Sequence, residues 1–250
     1  MMMSPWVMRL MIANVIVYLL SMASPQIVSA LAFVPALVLE RPWTLITYMF
    51  LHGGFFHIAF NMLGLYFFGP RLELELGGRD FLLLYTISGL SGALFSFVTP
   101  NVAIIGASAA VFGVFIGFAR YWPREMIYIW GVIPVQARWL VVGMVVLSLL
   151  GGAGFGDSGI AHFAHLGGFA GGYVFLVLRD RNTRAARFQT ALKTPPVRSG
   201  DPERWRKIDP ASLHEVNRLE LERILAKLDR QGVASLTASE REFLDRFSSR

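Results

Sequence analysis

The sequence predicts an all-α polytopic membrane protein: six transmembrane helices followed by a small helical tail in the cytoplasm. Three observations carry this reading. First, 54% of the 250 residues are hydrophobic and the mean hydropathy is +0.52, above the roughly 45–50% apolar content of soluble domains. Second, charge is uneven. Up to Leu178 there are seven Arg, no Lys and six acidic residues, whereas from Arg179 onward there are sixteen Lys or Arg and eleven acids. Third, the arginines of the apolar part fall into alternate loops, the pattern that sets membrane orientation.

Apolar segments occupy residues 6–22, 55–68, 81–98, 106–121, 139–150 and 162–178. Several are shorter than the ~20 residues of a lone spanning helix, so neighbours or flanking chain such as 69–76 must cover the remaining depth. The first is read as a retained span, because no good cleavage site follows its apolar stretch. Arg71 and Arg79 lie between spans two and three, Arg120, Arg124 and Arg138 between four and five, and Arg179, Arg181, Arg184 and Arg187 after six. The opposite loops hold only Arg41. Six spans with both termini cytoplasmic fit this asymmetry, in the inner membrane if the source is bacterial. The long, apolar first loop, 23–56, is expected in the outer interface, with Trp43 and Tyr48 near headgroup depth. An extra half-span is the alternative.

Polar groups in three spans are the ones hydrocarbon penalises. His57 and Asn61 lie at i and i+4 in span two, Ser108 opens span four, and His162 and His165 lie at i and i+3 in span six. By the topology above they share one depth. Pro100 and Asn101 precede span four, so its helix should start near Gly106. The first N–H groups then point outward beside Ser108, where negative charge is stabilised. A serine nucleophile needs a base, and His165 supplies an imidazole. Gly168 and Gly172 share its helix face, and Ala109, Gly113 and Gly117 form a second small stripe. Meeting stripes would let serine reach histidine. Each signal alone has a plainer reading: a packing serine, an interhelical hydrogen-bond pair, or metal binding by His52, His57, His162 and His165. A transporter would also use intramembrane His and Asn. Jointly the residues favour acyl-transfer chemistry.

These residues resemble the rhomboid intramembrane serine proteases. "FLHGGFFHIAFNMLGLYFFG" carries His57 and Asn61 as His-x-x-x-Asn, and Gly69, Glu73 and Gly77 follow as Gly-x-x-x-Glu-x-x-x-Gly. "GASA" at 106–109 is similar to the Gly-x-Ser-x nucleophile motif, and "AHLGGFAGG" at 164–172 to Ala-His-x-x-Gly-x-x-x-Gly. The resemblance covers about residues 8 to 180. It implies a six-helix rhomboid fold around a water-filled cavity. It also implies a catalytic dyad of Ser108 and His165, and an oxyanion hole of His57, Asn61 and the Ser108 N–H. Substrates would be transmembrane segments of other proteins, cut near the outer face without metal or cofactor. A rhomboid-like scaffold that binds helices without cutting them is the runner-up, although such proteins typically lack the Ser or His. Two positions depart from the pattern. Ala109 stands where glycine is frequent after the nucleophile, and Thr44 follows Trp43 where the family has Arg, with Arg41 nearby as a substitute charge. The glycine-rich loop 151–159 is expected to cap the site.

The expected domains are a protease domain at 1–180, a flexible linker at 181–208 and a helical hairpin at 209–250. Asp209 and Pro210 should start the first tail helix, and Leu221, Ile224, Leu225 and Leu228 form its apolar stripe. Thr237 and Glu240 form a capping box on the second, which carries Phe243, Leu244 and Phe247. The net charge of +6 lies mostly in this tail, beside a membrane, where it points to topology and lipid rather than nucleic acid. With no cysteine, disulfide and thiol chemistry are excluded. The expected partners are transmembrane substrates and the bilayer; the tail's partner is not readable.

Overall fold

The computed structural model describes residues 4–129, 131–153, 160–193 and 202–248, with backbone only at 160, 161 and 184–193. The chain divides into two compact units, Met1–Thr183 and Arg184–Arg250.

The first unit is built from helices α1 (Pro5–Ala23), α2 (Pro25–Leu31), α3 (Thr44–Thr47), α4 (Phe55–Leu76), α5 (Gly78–Phe95), α6 (Ser108–Tyr121), α7 (Ala137–Gly152) and α8 (Ile160–Lys193), the last continuing into the second unit. Among the described residues, two helical stretches, Pro5–Ala23 and Gly78–Val98, are long and apolar enough to cross a membrane, while Ser108–Tyr121 and Ala137–Gly152 are shorter. In α1 the face carrying Val7, Leu10 and Asn14 is buried, while Ile12, Ile16 and Leu19 are more than half exposed. An apolar face left outward is the pattern of a helix solvated by lipid.

Pro5 suits the first position of α1, where its missing N–H costs nothing. The start of α1 is capped from a distance. The buried Glu73 carboxylate of α4 accepts hydrogen bonds from the Ser4 hydroxyl and from the Trp6 and Val7 N–H groups at 3.1 and 3.0 Å. An anion is stabilised at a helix N-terminus.

Helix α6 touches α4, α5 and α7 and buries Ala109, Ala110, Val111 and Val114. Helix α8 fits against α5 and α6 through two glycine pairs. A methyl at Gly167 would strike the backbone of Ser91 and Gly92 of α5, and one at Gly171 would strike Ser91. A methyl at Gly168 would strike the Ala109 backbone of α6, and one at Gly172 the Gly113 Cα. The expected meeting of the 109/113 and 168/172 stripes is present. Gly117 departs from it: that glycine faces Leu72 of α4 and Leu84 of α5 instead.

The loop before α4 is a packed structure. Tyr48 is 1% exposed, its hydroxyl donates to the Gly89 carbonyl at 2.7 Å, and its own carbonyl accepts from Gly106 N–H at 2.9 Å. Its ring is therefore covered by protein, with its hydroxyl satisfied there. Trp43 is half exposed and donates to the Ala30 carbonyl at 3.0 Å, and Arg41 donates to the Ser29 carbonyl at 3.1 Å. These bonds are among the internal contacts of the loop that carries Thr44.

An all-α expectation also missed a hairpin. Strands β1 (Met126–Ile129) and β2 (Ile133–Gln136) pair antiparallel between α6 and α7. The run "MIYI…IPVQ" is rich in the β-branched and aromatic residues that favour strands, and Gly131, at φ 71°, turns the chain.

The expected linker at 181–208 is corrected at both ends. Helix α8 runs to Lys193, through a stretch of Arg, Ala and Leu that are good helix formers. In the second unit, α9 (Pro202–Trp205) buries Trp205 completely, and Ile208 is 7% exposed. Together with Leu221, Ile224, Leu228, Leu236 and Leu244 they form the core under α10 (Glu215–Gln231) and α11 (Ala238–Ser248). Asp209 caps only a short 3-10 turn, accepting from Ala211 N–H at 2.9 Å, and α10 begins at Glu215. The capping box is formed in both directions: Thr237 N–H donates to Glu240 at 2.8 Å, and Glu240 N–H to the Thr237 hydroxyl at 3.2 Å. The loop expected to cap the site lies, over 154–159, outside the described residues.

Candidate active site

Ser108 is the first residue of α6. Gly106 precedes it with φ 124°, a conformation suited to glycine. The first intrahelical bond runs from Val111 N–H to the Ala107 carbonyl at 2.9 Å. The N–H groups of Ser108, Ala109 and Ala110 therefore precede the helical ladder.

His165 of α8 stands opposite. Its Nε2 lies 2.8 Å from Ser108 Oγ, a good hydrogen bond. The close approach follows from Gly168, one turn further along α8, which rests on the Ala109 backbone. The Phe112 ring packs on the imidazole, with centroids 4.3 Å apart, and stacks on Phe169 at 4.7 Å. Phe112 lies at i+4 from Ser108, so helical spacing alone puts it on the same helix face as Ser108; that signal in the sequence was available and unused.

His57 and Asn61 occupy one face of α4. Gly53 N–H donates to His57 Nδ1 at 3.3 Å, which leaves the ring's proton on Nε2 in the neutral form. A methyl built on Gly106 would lie 2.6 Å from His57 Nε2 and 3.7 Å from Ser108 Oγ, so the imidazole edge sits beside the serine. Asn61 is 6% exposed and donates from Nδ2 to the His57 carbonyl at 2.9 Å, one of the two N–H groups its amide carries.

All four residues line one cavity of about 510 Å3, with Phe56, Phe60, Phe115 and Met144 among its apolar walls. Ser108, His165, His57 and Asn61 are thus brought together as the sequence suggested. The four-histidine alternative is not assembled. His52 packs edge-on against His57 at 5.0 Å and His162 lies 6.2 Å from His165, but among the described residues no three His, Cys, Asp or Glu gather to hold a metal. His162 instead packs on Gly151 of α7. A hydroxyl in contact with an imidazole nitrogen, beside N–H donors, is equipped for nucleophilic attack on a carbonyl when that nitrogen accepts the proton.

The Rhomboid domain model matches residues 39–181, and a family of unknown function (DUF6576) matches 214–250. "RHOMBOID-like protein 4" of Arabidopsis thaliana is 37% identical over 137 residues, which covers 54% of the chain and 33% of that protein. "Putative rhomboid protease YdcA" of Bacillus subtilis (strain 168) is 33% identical over 148 residues, 57% of the chain and 70% of that protein. "Rhomboid protease GluP" of the same organism is 34% identical over 135 residues, 52% of the chain and 25% of that protein. The chain therefore spans most of YdcA but a third or less of the other two. Its helices and these matches make it a mostly helical integral membrane protein, and the chain belongs to the rhomboid family.

Proposed function

We propose that this protein is an intramembrane serine endopeptidase that cuts transmembrane segments of other proteins. The observation that carries the reading is the 2.8 Å contact between Ser108 Oγ and His165 Nε2 at the wall of the cavity shared with His57 and Asn61. His165 takes the Ser108 proton as Oγ attacks the peptide carbonyl. The tetrahedral oxyanion is held by the Ser108 N–H, His57 Nε2–H and the Asn61 amide. Collapse expels the amine, which takes the proton back from His165, and leaves an ester on Ser108. Water, deprotonated by the same imidazole, hydrolyses that ester and restores the serine.

The proposed topology is six spans, α1, α4, α5, α6, α7 and the first part of α8, with both termini cytoplasmic. Arginine placement supports it. Arg71 pairs with Glu125 at 3.1 Å, Arg120 with Asp180 at 2.8 Å, and Arg179 with Asp80 at 2.6 Å. All three pairs lie at the helix ends away from Ser108, so the dyad falls toward the outer face. The proposed domains are the protease through about residue 183 and a cytoplasmic helical tail beyond α8. The inactive-scaffold reading is disfavoured because both dyad members are present and in contact.

The test is reconstitution in vesicles with a panel of single-span substrates. Wild-type protein should cleave, and Ser108→Ala and His165→Ala should each lose about a thousandfold or more. Cleavage that persists in Ser108→Ala removes the nucleophile assignment.

A further inference from the structure

A second cavity, of about 390 Å3, lies near the opposite ends of α4 and α6 from the dyad. It shares no lining residue with the dyad cavity. Phe67 and Phe68 of α4 form one wall and strand β1 the other. The walls are open: Phe67 is 59% exposed and Tyr128 61%. In an integral membrane protein such surfaces meet lipid.

The mouth carries two opposite charges. The Arg71 guanidinium lies over the Trp122 ring at 4.2 Å, a platform that fixes its plane. Glu125 pairs with it at 3.1 Å, and the two side chains are 41% and 44% exposed. An exposed pair of this kind is worth little on its own and opens easily. A guanidinium fork matches the geometry of a phosphate, and a carboxylate accepts N–H bonds from an ammonium. An acidic headgroup would meet Glu125 as a like charge, whereas a zwitterion satisfies both groups.

We infer that this groove binds one zwitterionic phospholipid, phosphatidylethanolamine by its chemistry, with phosphate on Arg71, ammonium on Glu125 and an acyl chain between the Phe67–Phe68 wall and β1. The site is independent of the dyad, and its test reads binding rather than cleavage.

The experiment is native mass spectrometry of the full chain in detergent, with equimolar phosphatidylethanolamine and phosphatidylglycerol. Wild type should retain one phosphatidylethanolamine in preference. Arg71→Gln and Glu125→Gln should each reduce its retention about fivefold, the effect of one charge near a membrane surface. Glu125→Gln is the safer variant, because the bonds at this residue that set the hairpin's entry, Glu125 N–H to the Trp122 carbonyl and Ala137 N–H to the Glu125 carbonyl, are made by the backbone. Preferential retention of phosphatidylglycerol that rises in Glu125→Gln overturns the proposal in favour of an anionic-lipid site. Retention unchanged in Glu125→Gln also overturns it, leaving an apolar groove without headgroup recognition.

Discussion

Replacing Gly168 by alanine tests whether the α6–α8 contact sets the reacting distance. The added methyl carbon would lie 2.8 Å from the Ala109 carbonyl carbon and 2.9 Å from its Cα, and closer still to the carbonyl oxygen. Carbon atoms rest at about 3.5–4.0 Å, so α8 must retreat from α6 by about 0.6 Å or more. A retreat of that size carries the 2.8 Å Ser108–His165 contact past the ordinary hydrogen-bond range of about 3.2 Å. Misplacing a reacting group by 1 Å costs about a hundredfold in rate, and overpacking costs about 1–3 kcal/mol of stability. The assay is cleavage of a single-span reporter in vesicles, paired with thermal unfolding to show that the variant is folded. Gly143→Ala on α7 is the control, since nothing lies within 4 Å of its added methyl. A companion substitution sharpens the test. Ala109→Gly should not rescue Gly168→Ala, because the atoms struck are backbone. It should partly relieve Gly92→Ala, whose methyl strikes the Ala109 Cβ at 2.5 Å. A folded Gly168→Ala variant that cleaves within about twofold of wild type refutes the reasoning, since it would bear none of the cost assigned to the shift.

Gly106→Ala should lower kcat about a hundredfold with little change in KM, because its methyl meets His57 Nε2 at 2.6 Å and disturbs a proposed oxyanion donor; steady-state kinetics on the reporter decide it. Trp205→Ala should unfold the tail, since losing a fully buried Trp costs about 3–5 kcal/mol, as much as so small a core supplies. Hydrogen exchange of the amides at 202–248 reads this directly. Glu240 makes the tail acid-sensitive. The Lys227 ammonium, followed by the Thr237 N–H, holds its carboxyl down to about 2 from an ordinary 4.5. A depressed pKa stabilises the fold fully above about 4.5, and that contribution is lost as pH falls toward about 2. Protection of wild-type tail amides, taken relative to the intrinsic exchange rate at each pH, should therefore fall across that window, and Glu240→Gln should flatten the change.

Ser108, His165, His57 and Asn61 were legible because each motif carries its own spacing, and the glycines of α8 announced where close packing was needed. The burial of Tyr48 was not legible, because local composition describes an aromatic ring in an apolar loop equally well at an interface or in a core. Only the carbonyl of Gly89, forty-one residues away, decides it, and no local pattern encodes that partner. The hairpin at 126–136 was missed although Ile, Tyr and Val around Gly131 favour strands, because its two arms resemble the flanks of apolar helices. The extension of α8 was hidden by the habit of reading charge as a boundary. Arg, Ala, Leu and Lys are good helix formers, and no glycine or proline interrupts the sequence between Gly172 and Pro195. Asp209 was assigned to the wrong helix because capping residues also start isolated turns.

The ring of Phe112 against His165 has a consequence for charge. During the proposed reaction the imidazole becomes a cation. In serine enzymes with three-membered centres an acidic side chain faces that cation. Among the described residues none is hydrogen-bonded to His165, and the neighbour 4.3 Å away is the tilted ring of Phe112, an aromatic system whose negative faces attract positive charge. A benzene ring cannot gain or lose a proton, so the support it lends the imidazolium is the same in acid and in base.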